Sequence, residues 1–579
     1  MLLLLCSFDT SAAIPADPLD IEQSKQRAKA IEEDIQQKLQ EAPAPVAPAV
    51  ISEIPPLIPE GKCQLIKKIW LYGADHLNSS AKESIFDLYV DHCIENRDIA
   101  NLRIALQSWY LDNGYITTQI NIKSPQSSLD KGNLEIWVIE GRIANITIGD
   151  DSTFNRLRIK SAFPIRKGDV VNIHDLDQGM EQLNRLASQK FRMQIVPAEI
   201  AGYSDIILSE STESIFNLYP HAASRHIGRQ LFDYQFTNGG IEETGENLHN
   251  ISFTRENLIG VNDTLSLSYQ RNIPLERGIK QNESIYFNFN VPWGYWFFKL
   301  NYLQNETARK VAATNATFFS KGKIESTNLA VNYLISRANN RKTELTSTIK
   351  YSGRYNYIND TRVETSSRRV SSLDLGIVHT QYMDTSTLVF SLSGSRGMHW
   401  FGTLQDMSDL AEDSPRAQYT LYKMFAYYQQ RILPVSQYGF TFQSALNTQY
   451  SSDTLYGENQ FVIGGEYSVR GFKENIISDD GGWTLRNDLN LPIGHWSQAR
   501  WQNKWTEMVN AEIFYDIGKG RSVQGDTSEL MSGWGYGISY NYRWINISFD
   551  RAKAIKSSNL FDNDEGWINY FNFNVKIII

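Results

Sequence analysis

The chain has no long hydrophobic run. Nothing in it approaches the roughly 18 apolar residues that a membrane-spanning helix requires, so a helical membrane protein is excluded. Cations are not in excess either: Lys and Arg number 56 against 65 Asp and Glu, for a net charge of −9, and no Lys/Arg-rich segment occurs. A nucleic-acid partner is thereby excluded, because phosphate binding needs a concentrated basic surface. Catalytic signatures are missing as well. There is no GxSxG elbow, no P-loop, no HExxH and no CxxC, and the nine histidines never fall at ligand spacing. Single histidines such as His174 and His399 read as ordinary structural groups. The expectation is therefore of a protein that is not an enzyme and holds no metal or cofactor.

Cysteine is scarce, with residues only at positions 6, 63 and 93. The start of the chain, Met1 to Ala13, has a short Leu run and small residues but no basic region, and resembles the remnant (residues 1–16) of a secretory signal that begins upstream. A disordered N-terminus is the alternative. Cys6 follows Leu5 rather than a small residue, which argues against lipidation. Signal removal would leave Cys63 and Cys93, which in an oxidising periplasm should form a disulfide, the alternative being two free buried thiols.

Aromatic residues, by contrast, are plentiful at 12%, although the hydrophobic fraction is only 41%. Residues 17–41 predict one helix, with Asp17 suited to the N-cap and Pro18 to the first turn. Its only apolar stripe is Ala28, Ile31, Ile35 and Leu39, so it belongs in solvent or in a water-lined cavity rather than in a large core. Residues 42–62 contain six prolines and read as an extended linker. Two α+β modules follow. In the first, residues 63–140, LIKKIWLYG suggests a strand, SIFDLYVDHC and IANLRIALQSWYLDNG suggest helices, and TTQINIKS and NLEIWVIEG suggest strands. In the second, residues 141–211, a strand IANITIGD precedes a helix containing LDQGMEQLNRLAS and strands FRMQIVPAE and SDIILSE. Tandem modules of this size usually offer sheet edges or grooves to a partner.

From residue 212 to the end, alternation replaces helical periodicity. Ile285, Phe287, Phe289 and Val291 share one face; after the turn PWG, Trp296, Phe298, Leu300 and Tyr302 resume it, opposite Lys299 and Asn301. FDYQF (232–236), INISF (545–549) and the closing FNFNVKIII repeat the pattern. A soluble sandwich would leave both the aromatic faces and the length unexplained. Residues 212–579, at about 23 residues per strand and connection, make roughly 16 strands, an even number as bacterial outer-membrane barrels require.

Two segments carry the functional signal. GGEYSVRGF (464–472) places a permanent cation, Arg470, between Val469 and Gly471–Phe472 at a loop tip. In AEIFYDIGKG (511–520), alternation sends Ala511, Ile513, Tyr515 and Ile517 to lipid, and Glu512, Asp516 and Gly518 to the lumen. A confined carboxylate is costly to leave unpaired, and Arg470 reaches Asp516 only if its loop folds inward.

VRGF followed by a strand bearing the Tyr-Asp-Ile-Gly step resembles the signature of the outer-membrane transporters of two-partner secretion (the TpsB family), relatives of the BamA-type barrel assembly proteins. DNGYITTQ (112–119), LDQGMEQLNRL (176–186), GYSDIILSE (202–210), TGENLH, RENLIGVNDTL and RNDL (486–489) add to the likeness, which covers nearly the whole chain. Phe472 stands where Tyr is also common, and the chain ends on Ile579 rather than an aromatic residue.

The resemblance implies a plug helix, two POTRA-like modules in the periplasm, the first of which carries a disulfide in many members, and a 16-stranded antiparallel transmembrane barrel in the bacterial outer membrane. It implies a cargo, a secreted exoprotein of the TpsA type, received unfolded by the POTRA modules and passed through the lumen. A monomer, inserted by the barrel assembly machinery, is expected. Leu183, Asn184, Arg185 and Leu186 mark the helix expected to bind cargo. An outer-membrane insertase is the alternative function. A passive porin would have no need of periplasmic modules.

Overall fold

The computed structural model describes residues 14–40, 63–122, 128–186, 189–210, 230–313, 316–411, 413–432, 440–493, 509–523, 530–542, 544–556 and 565–578. The expected signal remnant, apart from its last three residues, the Pro-rich linker and Ile579 lie outside them. A two-residue strand β1 (Ile14–Pro15) leads into helix α1 (Pro18–Gln40). The first α+β unit comprises β2 (Gln64–Ile66), β3 (Lys68–Tyr72), α2 (Ser79–Phe86), β4 (His92–Ile94), α3 (Asn96–Asp112), β5 (Gln119–Ile122) and β6 (Asn133–Ile139). The second comprises β7 (Arg142–Ile148), α4 (Thr153–Ala162), α5 (Ile173–Asn184), β8 (Phe191–Pro197) and β9 (Tyr203–Glu210).

Both units have the same plan. A three-stranded sheet with one parallel pair, β3-β6-β5 or β7-β9-β8, is covered on one face by two helices. In α3, Leu102, Leu106 and Tyr110 recur at helical spacing and are fully buried against Leu134, Ile136 and Val138 of β6. The helix starts at a reciprocal cap between Glu95 and Asp98. Two details differ from the sequence reading. The helix expected through SIFDLYVDHC stops at Phe86, and His92–Ile94 pairs instead with Gln64–Ile66. That pairing sets Cys63 beside Cys93, which are joined in a disulfide closing a 30-residue separation, a constraint that contributes about 3–4 kcal/mol by loop entropy. The second unit holds a helix the reading missed, α4; its signal was present, since Ser152 caps it by accepting from the Asn155 amide. The units are hydrogen-bonded to each other: the Ile173 amide donates to the Gly114 carbonyl (2.9 Å) and the Asn172 side-chain amide to the Asn113 carbonyl (3.1 Å). The DNGYITTQ segment is thus part of the joint.

The remaining strands are β10 (Gln230–Thr237), β11 (Leu248–Glu256), β12 (Thr264–Asn272), β13 (Lys280–Trp293), β14 (Trp296–Ala313), β15 (Ala316–Ala338), β16 (Arg341–Ile358), β17 (Thr361–Arg362), β18 (Arg368–Tyr382), β19 (Ser386–Met398), β20 (Thr420–Ile432), β21 (Phe440–Ser451), β22 (Phe461–Ile463), β23 (Ile477–Asp479), β24 (Gly481–Pro492), β25 (Val509–Arg521), β26 (Leu530–Tyr542), β27 (Ile545–Lys556) and β28 (Trp567–Ile578). β17 sits in the β16–β18 connection, while β22 and β23 form a hairpin inside the long β21–β24 loop, leaving sixteen antiparallel strands in the wall. β28 closes onto β10 from Leu231↔Ile578 to Thr237↔Asn572. Closure leaves no sheet edge in the wall, which a barrel in hydrocarbon requires because lipid offers no hydrogen-bond partner.

Register defines the lipid-facing band. Phe298, Val331, Ser347 and Leu375 lie side by side, as do Leu300, Leu329, Ile349 and Leu373; the next outward tier is Tyr302, Thr327, Tyr351 and Ser371, and above it stand Gln304, Glu325, Gly353 and Arg369. The apolar band therefore ends at an aromatic-containing tier, with Trp293, Trp296 and Tyr333 at its other rim. That other rim faces the second α+β unit, whose Ser161 carbonyl accepts from the Gly294 amide.

Candidate functional site in the barrel lumen

The inside of the wall carries the opposite half of each alternating strand, and it is polar. Helix α1 lies in this lumen. Its first turn is at the end remote from the α+β units, where Asp20 accepts from Arg354 (2.5 Å) and Asp17 lies 3.1 Å from the same guanidinium. Glu22 accepts from Gln270 (3.0 Å) and Asn282 (3.1 Å), while Lys25 donates to the Gly239 carbonyl (2.5 Å). Lower down, Asp34 faces Lys299 (3.8 Å) and pairs with Lys38, and the Tyr382 hydroxyl donates to the Lys38 carbonyl (3.2 Å). Of the sequence-read stripe, Ile35 and Leu39 pack against Val389 and Tyr427, while Ile31 stays exposed. Polar wall and polar helix match each other, which explains how a helix with so little apolar surface is held.

The β21–β24 loop fills the other part of the lumen. Its hairpin β22–β23 accepts β1 as a third strand, Ile14↔Ser478 and Pro15↔Ile477, so the segment leading into α1 is hydrogen-bonded to the loop. Glu458 of the same loop pairs with Arg368 and lies 3.8 Å from Arg354, and its carbonyl accepts from Arg27 of α1 (2.7 Å). Sequence reasoning did not single out Arg354, Arg368 or Glu458; only their placement across the lumen brings them together.

At the loop's centre, Arg470 is 4% exposed and Asp516 fully buried. Asp516 Oδ2 accepts from Arg470 Nε (2.6 Å) and from its backbone amide (3.0 Å), and Oδ1 accepts from Nη2 (2.8 Å). Nη2 also donates to Asp488 (2.5 Å), Glu512 lies 3.6 Å from Nη1, and the guanidinium sits 3.6 Å over the Phe514 ring. One planar cation thus meets a two-pronged carboxylate, two further carboxylates and an aromatic face, a set that an ammonium does not reproduce. Val469 and Phe472 flank it and are buried with Ile463, Ile477 and Met531. Gly471 has φ +105°, and a Cβ there would lie 2.8 Å from the backbone of Lys553 and Ala554, so a side chain would lift the loop off β27. Gly518 faces the same contact from the wall: a Cβ there would lie 2.9 Å from Thr484 and 3.1 Å from Val469.

The four residues Leu183, Asn184, Arg185 and Leu186 are differently placed. Leu183 and Leu186 are fully buried, Asn184 bonds both the amide and the carbonyl of Phe191, and Arg185 stacks 4.1 Å over Phe297 of the barrel. These contacts leave the four little surface for a cargo; their apolar spacing reflects packing. The same helix docks the second unit on the barrel. Gln178 and Gln182 donate to the Gly294 carbonyl (3.1 and 3.3 Å), the Gly294 amide donates to Ser161 (2.7 Å), and Glu181 meets Lys342 (2.9 Å), Arg337 (2.6 Å) and Arg185 (3.5 Å). Burial pushes the Glu181 carboxyl up, but Lys342, Arg337 and Arg185 outweigh it and hold it well below the usual glutamate range.

Comparison with known proteins agrees with this architecture. Residues 225–540, more than half the chain, match the family model described as haemolysin secretion/activation protein ShlB/FhaC/HecB. Residues 65–141 match the ShlB-type POTRA domain and 142–197 a POTRA domain. The outer membrane transporter CdiB of Dickeya dadantii (strain 3937) is 30% identical over 84% of this chain and 82% of its own length. The hemolysin transporter protein HpmB of Proteus mirabilis is 27% identical over 90% and 87%. Among solved structures, CdiB from Escherichia coli superposes with a TM-score of 0.84 at 24% identity, covering 98% of this chain and all of that one, a likeness of fold.

Proposed function

Because the chain belongs to the haemolysin secretion/activation protein family of outer-membrane two-partner secretion transporters, we propose that its POTRA domains receive an unfolded exoprotein in the periplasm and pass it through a lumen that α1 and the inward loop occupy at rest. The observation that carries this reading is a closed barrel whose lumen is filled by non-wall elements held through polar and ionic contacts. Such contacts can exchange with water, whereas an apolar plug would be trapped. An extended cargo strand adding to a POTRA sheet edge would supply affinity through main-chain hydrogen bonds with little demand on sequence. Arg470 and Asp516 hold the loop inside the barrel, and displacing them opens the path.

The transport involves no covalent step, and folding of the exoprotein outside gives it direction. The chain acts as a monomer and relies on the barrel assembly machinery for its own insertion. The test compares culture-supernatant proteins of a strain carrying this chain with those of a deletion strain. Loss of one large protein from the medium, with other outer-membrane proteins at normal levels, is expected. Unchanged supernatant with depleted barrel proteins would instead establish an insertase.

A further inference from the structure

The β19–β20 connection does not rise away from the barrel but folds down over its outer wall. Ser371, on the outward tier with Tyr351, is 2% exposed because this connection covers it. Its hydroxyl donates to the Met398 carbonyl (3.0 Å), accepts from the Trp400 amide (3.2 Å) and lies 3.1 Å from the Thr403 hydroxyl. The Leu404 amide donates to the Arg369 carbonyl (2.8 Å). The connection is therefore bonded to the wall at the aromatic-containing tier that closes the apolar band and at the tier above it.

Its tip is apolar and exposed in spite of that attachment. Residues 400–403 form a turn closed by the Thr403 amide on the Trp400 carbonyl (3.2 Å), with φ +58° at Phe401 and +69° at Gly402. An aromatic side chain in left-handed backbone is unfavourable, and Asn or Gly ordinarily takes that position. Phe401 nevertheless occupies it and is 70% exposed, with its ring 6.4 Å from the outward ring of Tyr351. Met407 is 68% and Leu404 37% exposed. Outward-facing cations adjoin them: Arg396, exposed, pairs in register with Leu373 at the top of the apolar band, and Arg369, also exposed, stands two tiers higher.

We propose that this connection is a lipid-binding foot: Phe401, Leu404 and Met407 dip into the outer leaflet beside the barrel, and Arg396 and Arg369 face the phosphates of its anionic headgroups. The apolar tip is continuous with the wall already in contact with lipid, and its height matches the headgroup boundary, where aromatic side chains gain from one apolar and one wet side. Arginine stems lying along apolar surface with their heads at the phosphates fit the same boundary. An emerging polypeptide as occupant would have to reach a surface that faces sideways into the membrane.

The test uses the full chain with Cys6→Ser and the Cys63–Cys93 bridge intact, reconstituted in phosphatidylcholine vesicles with and without lipid A. Single nitroxide labels are placed at Phe401→Cys and Met407→Cys, with Asp409→Cys as the water-exposed reference and Ile377→Cys as the lipid-exposed one. Oxygen-to-nickel-chelate collision ratios at 401 and 407 are expected severalfold above that at 409 and near that at 377. Ratios at 401 and 407 equal to that at 409 overturn the proposal. Phe401→Asn, which suits the left-handed turn and so preserves the fold, is expected to lower the ratio at 407 severalfold; an unchanged ratio counts against Phe401 as the anchor. Lipid A is expected to slow the label at 407, and the pair Arg369→Gln and Arg396→Gln to abolish that slowing. No slowing on adding lipid A refutes the phosphate contact.

Discussion

Replacing Arg470 with alanine tests the loop's anchorage most directly. The cation is 4% exposed and compensates Asp516, which has no exposure, together with Asp488 and Glu512. Removing one partner of a buried, hydrogen-bonded pair costs roughly 3–5 kcal/mol, because the other charge is left uncompensated. Charged to the equilibrium between inward and displaced loop, this is a shift of roughly 10²- to 10⁴-fold toward displacement. The loop is not expelled outright. Val469 and Phe472 remain buried, each contributing about 1.5–3 kcal/mol, and the Glu565 carboxylate still accepts from the amides of Lys473, Glu474 and Asn475 (2.9, 3.0 and 2.8 Å). The expected result is therefore a barrel that assembles, migrates as a heat-modifiable species and opens far more often in planar bilayers than the parent. Arg470→Lys should fall between, since it keeps the charge but loses the planar fork. An Arg470→Ala barrel, intact and present at parental level, that opens no more often than the parent would refute the reasoning that this ion cluster holds the loop.

Arg354→Ala leaves Asp17, Asp20 and Glu458 without their shared cation, so amide hydrogen exchange in the first turns of α1 should rise strongly while exchange in the wall strands stays constant; unchanged exchange in α1 would show that the cluster does not hold the helix. Glu181→Gln should loosen the second POTRA domain from the barrel, at a cost of roughly 3–5 kcal/mol, seen as faster exchange at the 293–296 turn. Because the Glu181 carboxyl is depressed in the folded protein, its contribution is present above the ordinary glutamate range and is lost as pH falls below it. Parental docking should therefore weaken as the pH falls below the ordinary glutamate range, while that of Glu181→Gln changes less; equal pH responses would remove Glu181 from the account.

Much of the architecture was legible in the residues because the two periodicities are local. Alternation in IYFNFNV and WFFKLNY is the direct trace of a wall with lipid on one side and water on the other, and register places Trp296, Phe298, Leu300 and Tyr302 outward and Lys299 inward. Helical spacing in IANLRIALQSWY likewise foretold the buried stripe of α3. Reading failed where long-range pairing overrides local pattern. Phe86, Tyr89 and Val90 have helical spacing, yet the chain turns after Phe86 so that His92–Ile94 can pair with Gln64–Ile66. The LNRL segment looked available because sequence does not show what covers a helix; the second POTRA core and Phe297 cover it.

Local spacing was enough to read the two-sided wall, the approximate strand number and most of the helices and strands, and the inward face of β25 pointed to a carboxylate that needs the loop arginine. Only the tertiary structure decided which charges meet. Arg354 lies 334 residues from Asp20, and Arg470 takes Asp488, 18 residues away, in addition to the expected Asp516. Electrostatic partners are chosen by where a closed barrel brings its inner faces together, and closure depends on the register of all sixteen strands at once. The same closure gives α1 its place: a polar helix has no reason of its own to be buried, and becomes so only because a polar lumen of matching charge surrounds it.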